Sequence, residues 1–213
     1  LAHELRTPLA TLQSHMEAMI DGIWEPDADR LKSCHEEIIR INKMVGDLEK
    51  LAKYESESLV LNKVRFDISE LIRRIVCNFE PEFKNRGIEI AFEGEVEEIF
   101  ADRDKMSQVI INLISNALKY TQEGGMVRIS ARGRGGAVEI RVKDNGQGIP
   151  EEDLPFVFER LYRADKSRNR LTGGAGIGLT IAKTIIEAHN GRIEVSSKIN
   201  EGTEFLITLQ KGI

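Results

Sequence analysis

The sequence predicts an α+β fold in which a helical hairpin precedes an α/β sandwich. Two apolar seams of helical spacing occupy the start of the chain, and a mixture of helix and strand patterns follows from about residue 62. The charge balance changes at the same place, because residues 1–61 hold 7 Lys and Arg against 12 Asp and Glu, whereas residues 62–213 hold 23 of each. We therefore expect two domains, 1–61 and 62–213.

The composition is that of an ordinary globular protein. With 213 residues, of which 41% are hydrophobic and 31% charged, it excludes disordered, collagen-like and disulfide-scaffold classes. Neither domain is basic enough to predict nucleic-acid binding. No apolar run approaches the roughly 18 residues of a membrane span, so we expect no membrane contact by this segment. The first residue, Leu1, already lies inside an amphipathic pattern, which indicates a piece of a longer protein.

The first domain is predicted to be two helices joined by a turn. Apolar residues recur every three or four positions from Leu1 to Ile23 and from Leu31 to Ala52, and Gly22 and Pro26 break the pattern between them. One narrow seam per helix cannot close a core. We therefore expect two hairpins to pair into a four-helix bundle, which makes the protein a homodimer.

His3 lies away from the apolar seam, about 200° around the helix from Leu1 and on the side of Thr7. A lone helical histidine is usually an ordinary surface residue. Here Glu4 supplies a carboxylate that can orient or deprotonate an imidazole, and Pro8 removes one intrahelical hydrogen bond. These neighbours make His3 a candidate reactive residue.

The second domain mixes strands and helices without regular alternation, which predicts helices packed over one face of a sheet. We expect strands near 64–68, 88–92, 98–101, 126–131, 137–143, 192–197 and 204–209, and helices near 69–85, 105–120 and 176–189.

The second of these helices carries polar residues along one side. Asn112, Asn116, Lys119 and Tyr120 stand at positions i, i+4, i+7 and i+8. Two carboxamide oxygens and an ammonium group that project together suit a magnesium ion and phosphates. A solvated helix face explains the spacing equally well.

Two glycine-rich segments follow. Asp144-Asn-Gly146-Gln-Gly148 ends a strand in a turn where the backbone must approach something closely, although such a sequence is often only a turn. The segment 173–179 leads into a helix N-terminus, which favours phosphate, but it is neither a P-loop nor a dinucleotide fingerprint. Between them, the basic segment 159–170 is interpreted as a mobile, phosphate-facing lid rather than a solvated loop.

Together these segments closely resemble the catalytic core of bacterial sensor histidine kinases of two-component systems. His3-Glu-Leu-Arg-Thr7-Pro8 resembles that family's phosphoacceptor box. The asparagine, first glycine, phenylalanine and second glycine boxes are matched by 112–120, 144–148, 156–158 and 174–178. Each match is modest alone, but five in the right order over essentially the whole chain are specific.

The resemblance implies a dimerisation and phosphotransfer hairpin followed by a Bergerat (GHKL) ATP-binding domain. It implies ATP-dependent autophosphorylation of His3, with Glu4 as base or hydrogen-bond acceptor. The phosphoryl group would then pass to an aspartate in the receiver domain of a cognate response regulator, and Thr7 would serve a phosphatase activity on that partner. The chain would be the cytoplasmic portion of a sensor protein in the inner or plasma membrane.

The same resemblance implies ATP and Mg²⁺ as cofactors. Asn116, and with less support Asn112, would hold Mg²⁺, while Asp144 would accept from the adenine amino group and discriminate adenine from guanine. The other nucleotide-binding candidates are Lys119, Tyr120, Gly146, Gly148, Phe158, Arg160, Arg163, Gly174, Gly176, Gly178 and Leu179.

Two alternatives stay open at this point: a Bergerat-fold ATPase and a non-enzymatic nucleotide-sensing dimer module. In hydrolytic relatives a glutamate four residues before the magnesium asparagine activates water, and Asn112 occupies that place here. The sensing module is disfavoured because His3, Asn116 and Asp144 are all present. The departures from the family pattern are small: Leu161 replaces a common aromatic, and Ala175 a common hydroxyl residue.

Overall fold

The computed structural model describes residues 2–56, 60–160, 162 and 176–212. Two helices, α1 (Ala2–Ile20) and α2 (Ala28–Ser56), pack along each other as the expected hairpin. Asp27 caps the N-terminus of α2: its Oδ1 accepts the Arg30 N–H at 2.8 Å, and its Oδ2 accepts from the Arg30 Nε at 3.0 Å. These bonds, the first above all, lower the pKa of Asp27 from its ordinary value.

The apolar seam of the hairpin is only partly covered within one chain. Cys34 and Met44 of α2 and Pro8 of α1 are buried. A second line of apolar side chains remains exposed along the hairpin: Leu9 and Met16 on α1, Ile23 in the connecting turn, and Leu31, Ile38 and Val45 on α2. This uncovered stripe is what the narrow-seam argument predicts for a hairpin that pairs with a second copy.

The remaining described residues form the expected α/β sandwich. In chain order its elements are β1 (Lys63–Asp67), α3 (Ile68–Asn85), β2 (Glu89–Gly94), β3 (Glu98–Asp102), α4 (Arg103–Tyr120), β4 (Met126–Arg134), β5 (Ala137–Asp144), a 3₁₀ helix (Glu151–Phe156), α5 (Gly178–Ala188), β6 (Arg192–Lys198) and β7 (Gly202–Gln210). The predicted α+β class is confirmed.

The strands form two sheets. The larger has the order β2-β4-β5-β7-β6, in which β2 and β4 are parallel and the other neighbours antiparallel. β1 and β3 form a separate antiparallel pair. In the larger sheet Val142 lies opposite Ile129 on one side and Phe205 on the other. The end of β5 is therefore held in the middle of the sheet, and Asp144 is its last residue.

All three helices of the sandwich contribute to one core. Their fully buried side chains include Ile72, Phe83, Ile110, Ile114, Ile181 and Ile185, which cluster with Ile129, Ile140 and Ile207 of the sheet. Burying each such side chain contributes about 1.5–3 kcal/mol. The opposite face of the sheet carries charged pairs, including Arg141 with Glu139 and Glu204 at 2.9 Å each. The helices thus cover one face, as predicted.

His189 connects the ends of two helices. Its Nε2 accepts the Asp102 N–H at 2.9 Å, and its Nδ1 lies 2.7 Å from the Ile185 carbonyl. A carbonyl only accepts, so Nδ1 carries the proton and the ring is neutral. Burial lowers the pKa of His189 from its ordinary value of 6.5, and the hydrogen bond with the Ile185 carbonyl acts in the opposite direction. Asp102 also caps α4, accepting the N–H groups of Asp104 and Lys105.

Within the described ranges, no helix combines the length and the apolar character that crossing a membrane requires.

Candidate functional site

The polar side of α4 meets the start of α5. The Asn112 side-chain amide donates from Nδ2 to the Gly178 carbonyl at 2.9 Å. Gly178 is the first residue of α5, so this bond fixes the distance between the two helices at the site. With its nitrogen engaged, the amide has its oxygen to offer a cation. Asn116, one turn further along α4, is half-buried.

The start of α5 suits an anion. Ile177 precedes the helix, and its hydrocarbon side chain cannot cap the first N–H groups. Gly176 has a φ of 70°, a left-handed conformation that favours glycine. Gly178 and Leu179 open the helix and are half-buried. The N–H groups and the helix dipole therefore favour phosphate here.

Lys119 and Tyr120 end α4 as a pair. The Lys119 Nζ donates to the Tyr120 hydroxyl at 2.9 Å and lies 4.6 Å from the centre of the ring. The Leu118 carbonyl accepts from the Arg86 guanidinium at 2.5 Å, which satisfies one of the last carbonyls of the helix. The Tyr120 carbonyl accepts the Gln147 N–H at 3.2 Å and so brings this pair to the Asp144 turn.

Asp144 is buried, with 6% of its surface exposed. Its Oδ1 accepts the N–H groups of Gly146 at 2.9 Å and Thr203 at 3.3 Å. Burial raises the pKa of Asp144 from its ordinary value, while the two N–H bonds act in the opposite direction. Both bonds fall on Oδ1, so among the described contacts Oδ2 is the oxygen available to a ligand.

The glycines of the Asp144 turn are required by their own surroundings. A Cβ on Gly146 would lie 2.3 Å from the Tyr120 carbonyl oxygen. Gly148 has a φ of 71°, and its Cβ would lie 2.1 Å from the Lys198 carbonyl oxygen. The prediction that the backbone approaches something closely is confirmed, and the neighbour is the protein itself. Contact of either glycine with a nucleotide stays a prediction.

The segment after the 3₁₀ helix is held by aromatic packing. The Phe158 ring lies edge-on to Phe205 at 6.3 Å between centres, and the Phe158 carbonyl accepts from the Thr180 hydroxyl at 3.0 Å. Tyr162 donates to Asp153, which raises its pKa to about 12. Nucleotide contact by Phe158 and by the exposed Arg160 stays a prediction.

Several expected site residues cannot be placed. Most of the segment interpreted as a lid lies outside the described residues, and so do Arg163, Gly174, Leu161 and Ala175. His3 and Glu4 belong to the first turn of α1, but their side chains are outside the described part. Thr7 follows one turn later and is exposed, and its carbonyl accepts from the Thr11 hydroxyl at 3.1 Å.

Sequence reasoning missed Thr203. It follows Gly202 at the start of β7, and its N–H reaches Asp144 only because β7 pairs with β5 in the sheet. The only signal in the sequence was a Gly-Thr pair at the start of the last strand. Without the strand order, this pair does not indicate that Thr203 lies beside Asp144.

Two family models match the chain. Residues 1–57 match the His Kinase A (phospho-acceptor) domain, and residues 101–213 match the histidine kinase-, DNA gyrase B- and HSP90-like ATPase. The chain belongs to the sensor histidine kinases of two-component systems. The phosphoacceptor region of this histidine kinase includes His3, and its ATPase region includes Asn116 and Asp144.

Relatives of known identity agree with this assignment. The kinase is 40% identical to the sensor protein kinase WalK of Staphylococcus haemolyticus over 98% of its own length, and it spans 35% of that protein. Histidine kinase ThkA, solved in complex with response regulator protein TrrA, matches with a TM-score of 0.82, 27% identity and coverage of 99% of this chain and 59% of ThkA. Full-length ShkA in complex with AMPPNP matches with a TM-score of 0.74, 26% identity and coverage of 100% and 45%.

Proposed function

We propose that the chain phosphorylates itself on His3 with ATP and passes the phosphoryl group to an aspartate of a response regulator. The observation that carries the proposal is the hydrogen bond of the Asn112 side-chain amide. It stands where hydrolytic relatives have a water-activating glutamate, and its amide is bonded to the Gly178 carbonyl. An amide cannot take a proton from water at neutral pH, so transfer to a positioned histidine is favoured over hydrolysis.

ATP is bound between α4, α5 and the Asp144 turn. The buried Asp144 carboxylate accepts from the adenine amino group, and guanine, which has an oxygen at that edge, is repelled. The N-terminus of α5, which the Ile177 side chain cannot cap, and Lys119 meet the phosphates. The complex of the related ShkA with an ATP analogue supports a nucleotide at this fold. The remaining candidates of the two glycine boxes are proposed as neighbours of the phosphates.

The donor set suits Mg²⁺. Carboxamide oxygens are hard ligands, and the Asn112 nitrogen is already engaged, which leaves that side chain an oxygen to offer. We assign Asn116 as the principal ligand and Asn112 as a second. Asn112 and Asn116 would hold the ion, which when bound would supply charge neutralisation of the phosphate oxygens.

The transfer step needs positioning and little covalent chemistry from the protein. A lone pair of one His3 ring nitrogen forms a bond to the γ-phosphorus, the bond to the β,γ-bridging oxygen breaks, and ADP leaves with that oxygen. The other ring nitrogen keeps its proton, which it donates to Glu4 in a hydrogen bond. The phosphohistidine then gives the phosphoryl group to the regulator's aspartate, and His3 is restored.

Two partners complete the proposal. The exposed stripe on α1 and α2 supports a homodimer, with 1–61 as the dimerisation domain and 62–213 as the ATP-binding domain. The solved complex of ThkA with TrrA supports a receiver domain as the second partner. Thr7, one turn after His3, is proposed to serve dephosphorylation of that regulator. The placement of the chain on the cytoplasmic side of a membrane-bound parent stays a prediction.

Incubation with γ-labelled ATP tests the function. Protein-bound label that is acid-labile and base-stable, with released phosphate well below it, supports a histidine kinase. Label released as free phosphate with none on the protein supports the ATPase, and ATP binding with neither product supports the sensing module.

A second experiment tests the phosphatase role of Thr7. If the Thr7→Ala variant dephosphorylates a cognate regulator at the rate of the parent, Thr7 has no such role.

A further inference from the structure

Ser197, which lies in β6 outside every motif, makes three polar contacts beside the Asp144 turn. Its Oγ accepts the Ile149 N–H at 2.8 Å and donates to the Gly202 carbonyl at 2.7 Å. The same oxygen lies 2.9 Å from the Thr203 hydroxyl. Ile149 follows the turn directly, whereas Gly202 and Thr203 open β7. One hydroxyl thus joins the turn to the hairpin of β6 and β7.

The three contacts fix the direction of each hydrogen bond. A serine hydroxyl has one proton and two lone pairs. The Gly202 carbonyl can only accept, so it takes that proton, and the Ile149 N–H takes one lone pair. The Thr203 hydroxyl is therefore the donor to Ser197. Any further hydrogen bond that the Thr203 oxygen makes is one that it accepts.

The turn and the hairpin are also pressed together by their backbones. The Asn200 N–H donates to the Gln147 carbonyl at 2.8 Å. A Cβ on Gly202 would lie 1.9 Å from the Asp144 carbonyl oxygen. Because Thr203 donates its N–H to the Asp144 carboxylate, a shift of this hairpin moves the carboxylate as well. The position of Asp144 thus depends on the contact between the turn and the hairpin, which Ser197 bridges.

We propose that Ser197 is a positioning residue of the adenine site. It holds Asp144 in place, and because it takes the Thr203 hydroxyl proton, the Thr203 oxygen can only accept a hydrogen bond from a ligand. The site then presents acceptors, the Asp144 carboxylate and the Thr203 oxygen, toward the base. An adenine amino group satisfies them, whereas the guanine oxygen does not. The inference rests on the proposed ATP site, and it assigns nucleotide selectivity to a residue that does not contact the phosphates.

The test compares three variants of the full chain. Ser197→Ala removes the hydroxyl, Ser197→Thr keeps it, and Ser196→Ala deletes the neighbouring hydroxyl, which is exposed on the other face of β6. Dissociation constants for ATP and GTP are measured by calorimetry, and KM and kcat for ATP by protein-bound label. Protection of the Ile149 amide from hydrogen exchange reports the bond itself.

In Ser197→Ala we expect KM and the dissociation constant for ATP to rise about tenfold, kcat to stay within about twofold and the preference for ATP over GTP to shrink. Ser197→Thr and Ser196→Ala should behave like the parent. The proposal is overturned if Ser197→Ala binds ATP and GTP as the parent does, or if Ser197→Thr is impaired equally. Should Ser197→Ala not fold, an unprotected Ile149 amide in the parent overturns it. A parent that binds ATP without labelling itself contradicts the proposed kinase, and the binding comparison still decides on Ser197.

Discussion

The Asn112 side chain is hydrogen-bonded to the Gly178 carbonyl, 66 residues along the chain, at 2.9 Å. This bond joins the helix that carries the magnesium candidates to the helix whose N-terminus favours phosphate. It therefore connects the two halves of the candidate phosphate site. A neutral hydrogen bond of this kind contributes about 0.5–1.5 kcal/mol.

Asn112→Ala should weaken ATP binding in the presence of Mg²⁺ by about 2- to 13-fold, because that bond is lost. Ser115→Ala, an exposed position on the same helix, is the matched control and should bind as the parent does. Calorimetric titration with ATP measures both. Equal affinities for Asn112→Ala and Ser115→Ala would remove Asn112 from the site.

Asp144 should make ATP binding depend on pH. Its pKa is raised by burial above the ordinary value of 3.8, and only the ionised carboxylate is a charged acceptor for the adenine amino group. ATP affinity should therefore rise as the pH rises through the raised pKa. The stability of the nucleotide-free domain should change in the opposite direction. Because the folded state binds the Asp144 proton more tightly than the unfolded chain does, the free energy of unfolding should fall as the pH rises through the same window.

Asp144→Asn should remove this pH dependence of ATP affinity. At neutral pH it should lose about 10- to 150-fold in ATP affinity, the value of a charged hydrogen bond of about 1.5–3 kcal/mol. Subtracting its profile from that of the parent cancels the titration of ATP itself. If the two profiles run parallel from pH 4 upward, Asp144 does not hold the base.

Substitution of two left-handed glycines distinguishes the cost of a steric clash from the cost of backbone strain. Gly148 and Gly136 both have a positive φ, of 71° and 83°, but only Gly148 has a backbone oxygen where a Cβ would stand. Gly136→Ala should cost about 1–2 kcal/mol, from the left-handed conformation alone. Gly148→Ala should cost about 3 kcal/mol or more and also weaken ATP binding. Thermal unfolding measures both, and equal losses would contradict the close approach.

His189 should make the sandwich sensitive to acid. Its pKa is lowered by burial, so the unfolded chain binds a proton more readily than the folded one just below pH 6.5. The free energy of unfolding should therefore fall as the pH drops through that window. His189→Gln should flatten the dependence, whereas His35→Gln, at an exposed position on α2, should leave it intact. A parental profile in His189→Gln would show that the ring is not the responsible group.

Periodicity and turn glycines predicted the helices and all seven strands of the described residues, because a buried face repeats every 3.6 residues in a helix and every 2 in a strand. The 3₁₀ helix Glu151–Phe156 was missed because it is short, contains Pro155 and has no such period. α4 begins at Arg103, two residues before the predicted start, because the buried Asp102 caps it. The sequence offers both Asp102 and Asp104 as caps, and the hydrogen bonds decide for Asp102.

The site residues that lie on one segment could be predicted from the sequence. Those brought together from distant strands could not. Asn112 and Asn116 share a helix face, so their spacing indicated a common role. Ser197, Thr203 and Asp144 meet because β5 and β6 both pair with β7. The order of strands in a sheet depends on long-range packing, and local sequence does not reveal it.

Mapping the phosphoryl group tests the central claim most directly. The chain has 4 histidines, at positions 3, 15, 35 and 189, and only His3 precedes the Glu4 carboxylate and Thr7 in the phosphoacceptor pattern. After incubation with ATP and Mg²⁺, mass spectrometry at neutral pH should place the phosphate on His3, and His3→Gln should bind ATP like the parent but take up none. Phosphate on another residue, or undiminished uptake by His3→Gln, would contradict the account.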